Sequence, residues 1–160
     1  MPESALPANI AAFWNAFIAS RESHTTYALR EVFHFCDNEN DANTLADLVM
    51  IGTKRATASS LWSYEWEKFS LPKIGDVNIV TKWDGTPCCV IETIAVNTVP
   101  FDQVTAEFAA TEGEGDKSLT YWRDEHRAYF TRECKEYGTV PTLQMPIVCE
   151  EFKVIYRALD

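Results

Sequence analysis

The feature that most constrains the fold is a pair of β-prone runs in the middle of the chain, joined by a tight turn. The runs read LPKIGDVNIVTKW and TPCCVIETIAVNTV, and the dipeptide Asp84-Gly85 separates them. An Asp-Gly pair between two such runs is typical of a β-hairpin turn. Val77, Ile79 and the run 90–96 give the hairpin an apolar face. The other elements are therefore expected to pack on a central antiparallel hairpin.

Helix and strand patterns flank this hairpin on both sides. From Ala8, the segment NIAAFWNAFIASR has apolar residues at three- and four-residue spacings, which indicates an amphipathic helix. A second helix, TLADLVMIG, is predicted to end at Gly52, because glycine adopts the left-handed conformation without a Cβ penalty. Further helices are predicted at FDQVTAEFAAT and over residues 117–137, strands at TYALREVFHFC and VCEEFKVIYR, and a turn at CDNENDAN. This order predicts a single α+β domain over residues 1–160, whose strands curl into a small β-barrel decorated by helices.

Charge and motif content narrow the possible functions. The net charge is −10, from 24 acidic and 14 basic residues, which argues against sequence-independent attraction to nucleic-acid phosphates and favours a small or locally recognised ligand. The sequence lacks the phosphate-loop pattern G-x-x-x-x-G-K-[ST] and the dinucleotide-binding pattern G-x-G-x-x-G. It also lacks the zincin pattern H-E-x-x-H and the serine-hydrolase pattern G-x-S-x-G, so no motif indicates any of these four functions. The three histidines are scattered, and we expect neither a metal nor another cofactor.

Sequence features also bear on the cellular compartment. No apolar run approaches the roughly 18 residues that span a bilayer, and the start MPESALPANI lacks the features of a secretory signal, so we expect a cytoplasmic protein without a membrane partner. The five cysteines show no paired spacing and are predicted to be reduced thiols that fill apolar space.

The most distinctive stretch is GTKRATASSLWSYEWE, residues 52–67. Lys54 and Thr57 stand three residues apart, so they share a side if this segment is helical, and an amine beside a hydroxyl is one form of activated nucleophile. A free lysine has a pKa of about 10.4, so it acts as a base at neutral pH only if burial or a cationic neighbour such as Arg55 lowers that value. The simpler interpretation, which residue types alone favour, is a solvated Lys54–Arg55 pair with Thr57 capping a helix.

An acidic, glycine-interrupted sequence, EGEGD, occupies residues 112–116. Carboxylates in one loop repel one another, which raises a carboxyl pKa if the loop packs against a cleft. From composition alone, the better interpretation is a solvated turn in which Asp116 caps the next helix. A carboxylate of this loop placed beside Lys54 would orient its amine, but the sequence does not give that distance.

Aromatic and basic residues follow on the long predicted helix. Trp122, His126 and Tyr129 form one stripe, on which a nucleobase could stack, although such a stripe is more often core with the histidine satisfied by a buried hydrogen bond. Arg123 and Arg127 lie four residues apart on a neighbouring face, where surface ion pairs are the simpler interpretation and a phosphate contact the alternative.

At these positions the sequence resembles the ASCH family, whose PUA-like β-barrel fold is associated with RNA and nucleoside chemistry. GTKRAT (52–57) resembles the family's glycine-x-lysine signature, and LPKIGD (71–76) its strand-entry motif. The pattern E-G-E-G-D-x-S-x-x-x-W-R-x-x-H (112–126) resembles the branch with an added N-terminal helix. The resemblance covers about residues 30–158. It implies a small barrel surrounded by helices, a helical extension over about residues 1–26 and a cleft lined by the lysine segment.

The resemblance also implies a reaction. The small N4-acetylcytidine amidohydrolases of this superfamily use a lysine, a threonine three residues later and a glutamate beyond the central hairpin, and Lys54, Thr57 and Glu112 match these positions. The implied activity is metal-independent cleavage of the N4-acyl amide of acylated cytosine or cytidine. Thr57 would be the nucleophile, Lys54 the base and then the acid, and Glu112 the residue that orients Lys54. Glu114, in the same loop, is the alternative carboxylate.

The implied partner is a small-molecule nucleoside or modified nucleobase. The substrate-binding candidates are Arg55, Trp62, Glu114, Arg123 and His126. Trp83 is the alternative to Trp62 as a platform on which the base would stack. Other members of the family are RNA binders or ribonucleases, so the second hypothesis is a module that binds or cleaves single-stranded RNA through Lys54, Arg55, Arg123 and Arg127. A third hypothesis is a sensor of a modified nucleotide without turnover.

Overall fold

The computed structural model describes residues 5–22 and 24–159. Residues 1–4 and 23, which belong to the predicted N-terminal extension, lie outside the described residues, as does residue 160. The helices are α1 (Ala8–Ala19), α2 (Glu39–Met50), α3 (Leu61–Glu67), α4 (Ala106–Glu112) and α5 (Leu119–Glu136). The strands are β1 (Leu29–Phe33), β2 (Ala56–Ser60), β3 (Val77–Thr81), β4 (Pro87–Pro100) and β5 (Pro146–Arg157).

The five strands form one mixed sheet in the order β1-β3-β4-β5-β2. β1 runs parallel to β3, and every other pair is antiparallel. The long β4–β5 ladder has register shifts at residues 90–91 and 93–95, and bulges of this kind bend and twist strands. Both edge strands line the same cavity, so the sheet curls around it, although no ladder joins β1 to β2 in the described ranges. The prediction of an α+β fold, with strands that curl into a small barrel surrounded by helices, is confirmed.

The predicted hairpin is formed by β3 and β4. The Lys82 N–H donates to the Thr86 carbonyl at 2.9 Å, and Asp84 Oδ1 accepts from the Thr86 N–H at 2.9 Å. Gly85 has a φ of +86°, a conformation that glycine adopts without steric strain. The Asp-Gly turn therefore holds the two central strands in register, as the sequence predicted.

Helices cover both faces of this hairpin. Ile10 and Phe17 of α1, which are buried, pack on Val77, Ile79 and Val90. The predicted apolar stripe of the N-terminal helix therefore packs on the hairpin, and the prediction of an added N-terminal helix is confirmed.

The opposite face carries the helices nearest the lysine segment. Ala46 and Val49 of α2 pack on Val80 and Ile91, because successive residues of a strand point to opposite faces. A third apolar cluster packs α4 and α5 against β5, with Trp122 at its centre. These two contacts bring the end of α2 and the end of α4 towards the same part of the sheet.

Helix α2 begins five residues before the predicted TLADLVMIG. The prediction of a turn at CDNENDAN is wrong from Glu39 onwards, where α2 begins. Its Asn38 is the helix cap, since the Asn38 side chain accepts from the Asp41 N–H at 2.9 Å. Asn and Asp favour turns and helix caps for the same reason, which is hydrogen bonding to nearby backbone N–H groups. At the other end, Gly52 has a φ of +83° just after the helix, as predicted.

Strand β2 is a strand that the sequence did not predict. Its sequence, ATASS, is small and polar, and its place in the sheet comes from a ladder with β5 that runs from Ala56 opposite Glu151 to Ser60 opposite Ile147. The Ser60 hydroxyl then accepts from the Trp62 N–H at 3.1 Å and begins α3. The segment after Lys54 is thus extended and not helical.

The five thiols are all free, and four of them are buried, as expected for apolar filling. Within the described ranges, no helix is both long enough and apolar enough to cross a membrane.

Candidate active site

Lys54 emerges from the corner that follows helix α2. The N–H groups of Thr53 and Lys54 both donate to the Leu48 carbonyl, at 2.9 and 3.1 Å, and so close the end of that helix. One residue later, the Arg55 N–H donates to the Thr111 carbonyl of α4 at 3.0 Å. Two helix ends therefore fix the backbone from which the Lys54 side chain projects.

Gly113, which ends helix α4, allows these two segments to approach closely. It has a φ of +73°, and a Cβ atom built on it would lie 2.8 Å from the Thr53 carbonyl carbon and 3.2 Å from Lys54 Cα. Only glycine fits such a position without moving the backbone. The glycine-interrupted acidic sequence is therefore the point at which α4 docks on the lysine corner.

The Lys54 ammonium lies in a buried charged cluster with Glu112, Glu114 and His126, which we call the lysine cluster. The Lys54 side chain is 1% exposed. Its Nζ donates to Glu114 Oε1 at 2.7 Å and to the Ala56 carbonyl at 2.8 Å, and it lies 3.4 Å from Glu112 Oε1. The interpretation of Lys54 as a solvated residue is wrong, because docking of α4 buries it.

The interpretation of residues 112–116 as a solvated turn is wrong for both glutamates. Glu112 is 1% exposed, and the Glu114 side chain is 17% exposed. Asp116 is exposed, but it is not the helix cap, since Ser118 Oγ accepts from the Tyr121 N–H at 3.0 Å. Asp116 instead accepts from the Ser118 N–H at 2.8 Å. The loop therefore contributes two carboxylates to the interior.

Helix α5 holds Glu112 from its other side. Glu112 Oε2 accepts from Trp122 Nε1, and Glu112 Oε1 lies 3.2 Å from His126 Nε2. The other ring nitrogen of His126, Nδ1, lies 2.8 Å from the Trp122 carbonyl oxygen. A carbonyl and an ionised carboxylate both accept, so an imidazole protonated on both ring nitrogens satisfies the two contacts.

The pKa values agree with this charge arrangement. Burial by itself would raise the pKa of Glu112, but His126 and Lys54 lower it to about 2. Burial by itself would lower the pKa of Lys54, but Glu112 and Glu114 outweigh this effect and raise it above its ordinary value. Glu112 likewise outweighs burial and raises the pKa of His126. Lys54 is therefore an ammonium at neutral pH in the unliganded protein.

Glu112, Glu114 and His126 also place ligand-type atoms within 4.8 Å of one another. Carboxylates and imidazole bind zinc and other divalent ions in proteins. Here Lys54 Nζ and the His126 N–H are directed at the carboxylate oxygens, so side chains supply the positive charge.

The lysine cluster adjoins a cavity of about 460 Å³, a volume within the range of small-molecule sites. Its aromatic lining consists of Phe33, Phe35, Tyr64, Phe69, Tyr121 and Tyr129. Its eight acidic lining residues are Glu31, Asp41, Glu67, Glu112, Glu114, Glu125, Glu133 and Glu150. Two lining residues, Arg30 and Arg132, are basic, and each contacts a carboxylate, of Asp76 and Asp37 respectively. The aromatic walls suit a flat heterocycle, and the excess of carboxylates opposes a phosphate.

Thr57 lies on β2 and lines this cavity. It stands directly opposite Glu150 of β5, so the two side chains project from the same face of the sheet. Because the segment is extended, Lys54 and Thr57 do not share a helix face. Lys54 Nζ contacts the Ala56 carbonyl, Glu112 and Glu114, and among the described side chains no contact joins it to Thr57. Lys54 does not line this cavity and instead borders a second one, of about 260 Å³.

The other predicted substrate-binding residues divide into two groups. Glu114 and His126 line the cavity, whereas Arg55, Trp62 and Arg123 do not. Arg55 borders a separate cavity of about 260 Å³, and Trp62 packs against the apolar cluster around Trp122.

Three polar strand residues that sequence reasoning did not single out also line the cavity, namely Glu31, Asn78 and Glu150. Asn78 is 4% exposed and Glu150 is 9% exposed. Burial raises the pKa of Glu150 above the ordinary carboxyl value. Glu31 is an exposed residue of the cavity wall, where partial loss of solvent raises its pKa in the same direction. Two features of the sequence could have indicated these residues: an asparagine inside the apolar run VNIVT and an acidic pair inside VCEEFKV. Polar residues at inward strand positions are rarely needed for packing, so they are candidates for a functional role.

Comparison with known proteins identifies the family. The model of the ASCH domain family matches residues 31–156, and the chain belongs to that family. The structure is similar to that of an ASCH domain from Lactobacillus crispatus JV V101, at 36% identity and a TM-score of 0.92, covering 98% of this chain and 100% of that chain. It is also similar to protein EF3133 from Enterococcus faecalis V583, at 32% identity and a TM-score of 0.85, covering 93% and 89%. No curated protein matches the chain.

Proposed function

We propose that the protein is a hydrolase that removes the acyl group from the exocyclic N4 of acylated cytosine or cytidine. The observation that supports the proposal is that Thr57 and Glu112 line one aromatic-walled cavity, and that Glu112 is paired with the buried Lys54, 58 residues away in sequence. These are the three positions at which the sequence resembles N4-acetylcytidine amidohydrolases. The cavity volume and its flat aromatic walls support a ligand of nucleoside size.

In the proposed reaction, Thr57 Oγ1 attacks the acyl carbonyl carbon while the neutral Lys54 amine takes the hydroxyl proton. The tetrahedral intermediate then collapses, the bond from the carbonyl carbon to N4 breaks, and Lys54 returns the proton to N4. Cytidine leaves and the acyl group remains as an ester of Thr57. Water, deprotonated by Lys54, attacks this ester and releases the carboxylic acid and the Thr57 hydroxyl. Glu112, fixed by Trp122 and His126, positions Lys54.

The lysine cluster sets the condition under which Lys54 acts as the base. Its raised pKa keeps the ammonium form dominant at neutral pH. Loss of the proton removes the attraction to Glu112 and Glu114, which frees the neutral side chain to turn towards Thr57. The proposed reaction therefore accelerates with pH, by about tenfold per unit, as the free-amine fraction grows.

The acidity of the cavity favours a nucleoside over RNA as the ligand. Lys54, the central cation of the RNA-binding hypothesis, is buried and bonded to carboxylates, and Arg55 and Arg123 do not line the cavity. An RNA strand would place phosphates near acidic side chains, and affinity for RNA depends on Lys and Arg contacts. Single-stranded RNA is therefore the comparison ligand in the test.

The test is the ultraviolet absorbance change of N4-acetylcytidine on deacetylation, measured with chelator present, alongside a labelled single-stranded RNA. Thr57→Val removes the hydroxyl and keeps the β-branched shape, so kcat is expected to fall at least roughly a hundredfold. Thr57→Ser is expected to recover part of the rate. Thr98→Val makes the same change at an exposed site of β4 and is expected to leave kcat unchanged. RNA cleavage without deacetylation would replace this proposal with the ribonuclease hypothesis.

A further inference from the structure

The cavity has a wall of hydrogen-bond acceptors that the proposed reaction does not use. Asn78 of β3 lies directly beside Glu31 of β1 in the strand register, and Glu150 of β5 lines the same cavity. Asn78 is 4% exposed, and its Oδ1 is buried without a hydrogen-bond partner in the described structure. A buried carbonyl left unpaired destabilises a fold, so such groups call for a functional explanation.

The two carboxylates of this wall also have free acceptor capacity. One oxygen of Glu150 accepts from the Thr93 hydroxyl at 2.6 Å, which leaves the other oxygen available. Arg30, the cation next to Glu31 in sequence, contacts Asp76 at 3.4 Å and the Ser70 hydroxyl at 3.2 Å. The acceptor wall, defined as Glu31, Asn78 and Glu150, is thus complementary to a ligand group rich in donors.

One part of the substrate of the proposed function, the ribose, is rich in hydrogen-bond donors. In an N4-acylated cytidine the base offers a single N–H, at N4, whereas N3, O2 and the acyl oxygen all accept. The ribose of a nucleoside carries hydroxyl donors on neighbouring carbons, and carboxylates commonly bind the ribose hydroxyls of nucleotides. The wall begins at Glu150, opposite Thr57, and extends to Glu31 and Asn78 on the other side of the curled sheet. A nucleoside with its acyl group at Thr57 shares one cavity with this wall.

We propose that Glu31, Asn78 and Glu150 form a sugar subsite, which binds ribose hydroxyls and excludes a 5′-phosphate. The inference rests on the proposed function and specifies its substrate as a free ribonucleoside. Ribose hydroxyls satisfy the unpaired Asn78 oxygen and the free carboxylate oxygens. A phosphate placed beside the same carboxylates is repelled, because like charges in a partly buried site are weakly screened.

The experiment compares kcat/KM for N4-acetylcytosine, N4-acetylcytidine and N4-acetylcytidine 5′-monophosphate. The native protein is expected to prefer the ribonucleoside over both other compounds by at least about tenfold, the effect of roughly one hydrogen bond. Asn78→Leu, which replaces the amide with an apolar group of similar shape, is expected to lower the ratio of ribonucleoside to free base about tenfold. Its unfolding free energy is expected to stay equal to or above that of the native protein, because an unpaired polar group is removed. Glu31→Gln is the second variant.

The outcomes separate the two proposals. Equal kcat/KM for the free base and the ribonucleoside, or a ratio unchanged in both Asn78→Leu and Glu31→Gln, would overturn the sugar subsite and leave the hydrolase proposal intact. Equal turnover of the 5′-monophosphate would overturn the exclusion of phosphate. Absence of deacetylation with all three compounds would overturn the proposed function and the subsite with it. Asn97→Leu, at an exposed position of β4, is the matched control for the asparagine substitution and is expected to keep the native ratio.

Discussion

Substitution of Gly113 by alanine tests whether docking of helix α4 on the lysine corner fixes the lysine cluster. The left-handed backbone at Gly113, with a φ of +73°, costs an L-residue roughly 1–2 kcal/mol. The new Cβ would also lie 2.8 Å from the Thr53 carbonyl carbon, a backbone atom that cannot rotate away. Overpacking of this kind costs about 1–3 kcal/mol, so Gly113→Ala is expected to lower the unfolding free energy by about 2–5 kcal/mol.

Gly138→Ala is the matched control for this substitution. Gly138 has the same φ of +73°, but a Cβ atom built on it has no described atom within 4 Å. This variant is expected to lose only the roughly 1–2 kcal/mol of the backbone conformation. The change in the unfolded chain is the same in both variants and cancels in the difference.

Urea unfolding followed by tryptophan fluorescence measures both variants. The expected difference of about 1–3 kcal/mol reports the contact with Thr53. N4-acetylcytidine turnover, measured where both variants are folded, is expected to fall in Gly113→Ala and to stay near the native value in Gly138→Ala. Equal loss of stability in the two variants would refute the reasoning, because it would mean that the close approach of Gly113 to Thr53 relaxes without penalty.

Two further predictions concern the charges of the lysine cluster. Glu114→Gln removes a carboxylate that raises the pKa of Lys54, so the pH–rate profile of deacetylation is expected to shift to lower pH, and an unchanged profile would exclude Lys54 as the titrating base. Glu112 has its pKa lowered from 4.5 to about 2, so its contribution to stability is present above pH 4.5 and is lost as pH falls towards 2, by at most about 3 kcal/mol. Acid unfolding of Glu112→Gln is expected to lack this part of the pH dependence, and an unaltered slope would contradict the assignment of Glu112 as the ionised centre.

Local patterns in the sequence were sufficient for the elements that form by local rules. The Asp84-Gly85 hairpin, the apolar stripe of α1 and the end of α2 before Gly52 depend on turn chemistry, helical period and backbone freedom, all of which neighbouring residues determine. The same local rules did not predict β2, whose small polar residues join the sheet only because they pair with strand β5. The resemblance of short motifs supplied the candidate triad of Lys54, Thr57 and Glu112 without giving its geometry.

The charges of the site were decided by tertiary structure alone. Residue types favoured a solvated Lys54 and a solvated acidic loop, yet packing of α4 against the corner after α2 buries Lys54 beside carboxylates 58 and 60 residues away. Likewise, Glu31, Asn78 and Glu150 form one acceptor wall only because the sheet curls and brings strands distant in sequence around one cavity. Burial and electrostatic interaction depend on distance in space, so the chain's local sequence determined which groups were available and the fold determined their ionisation and their possible roles.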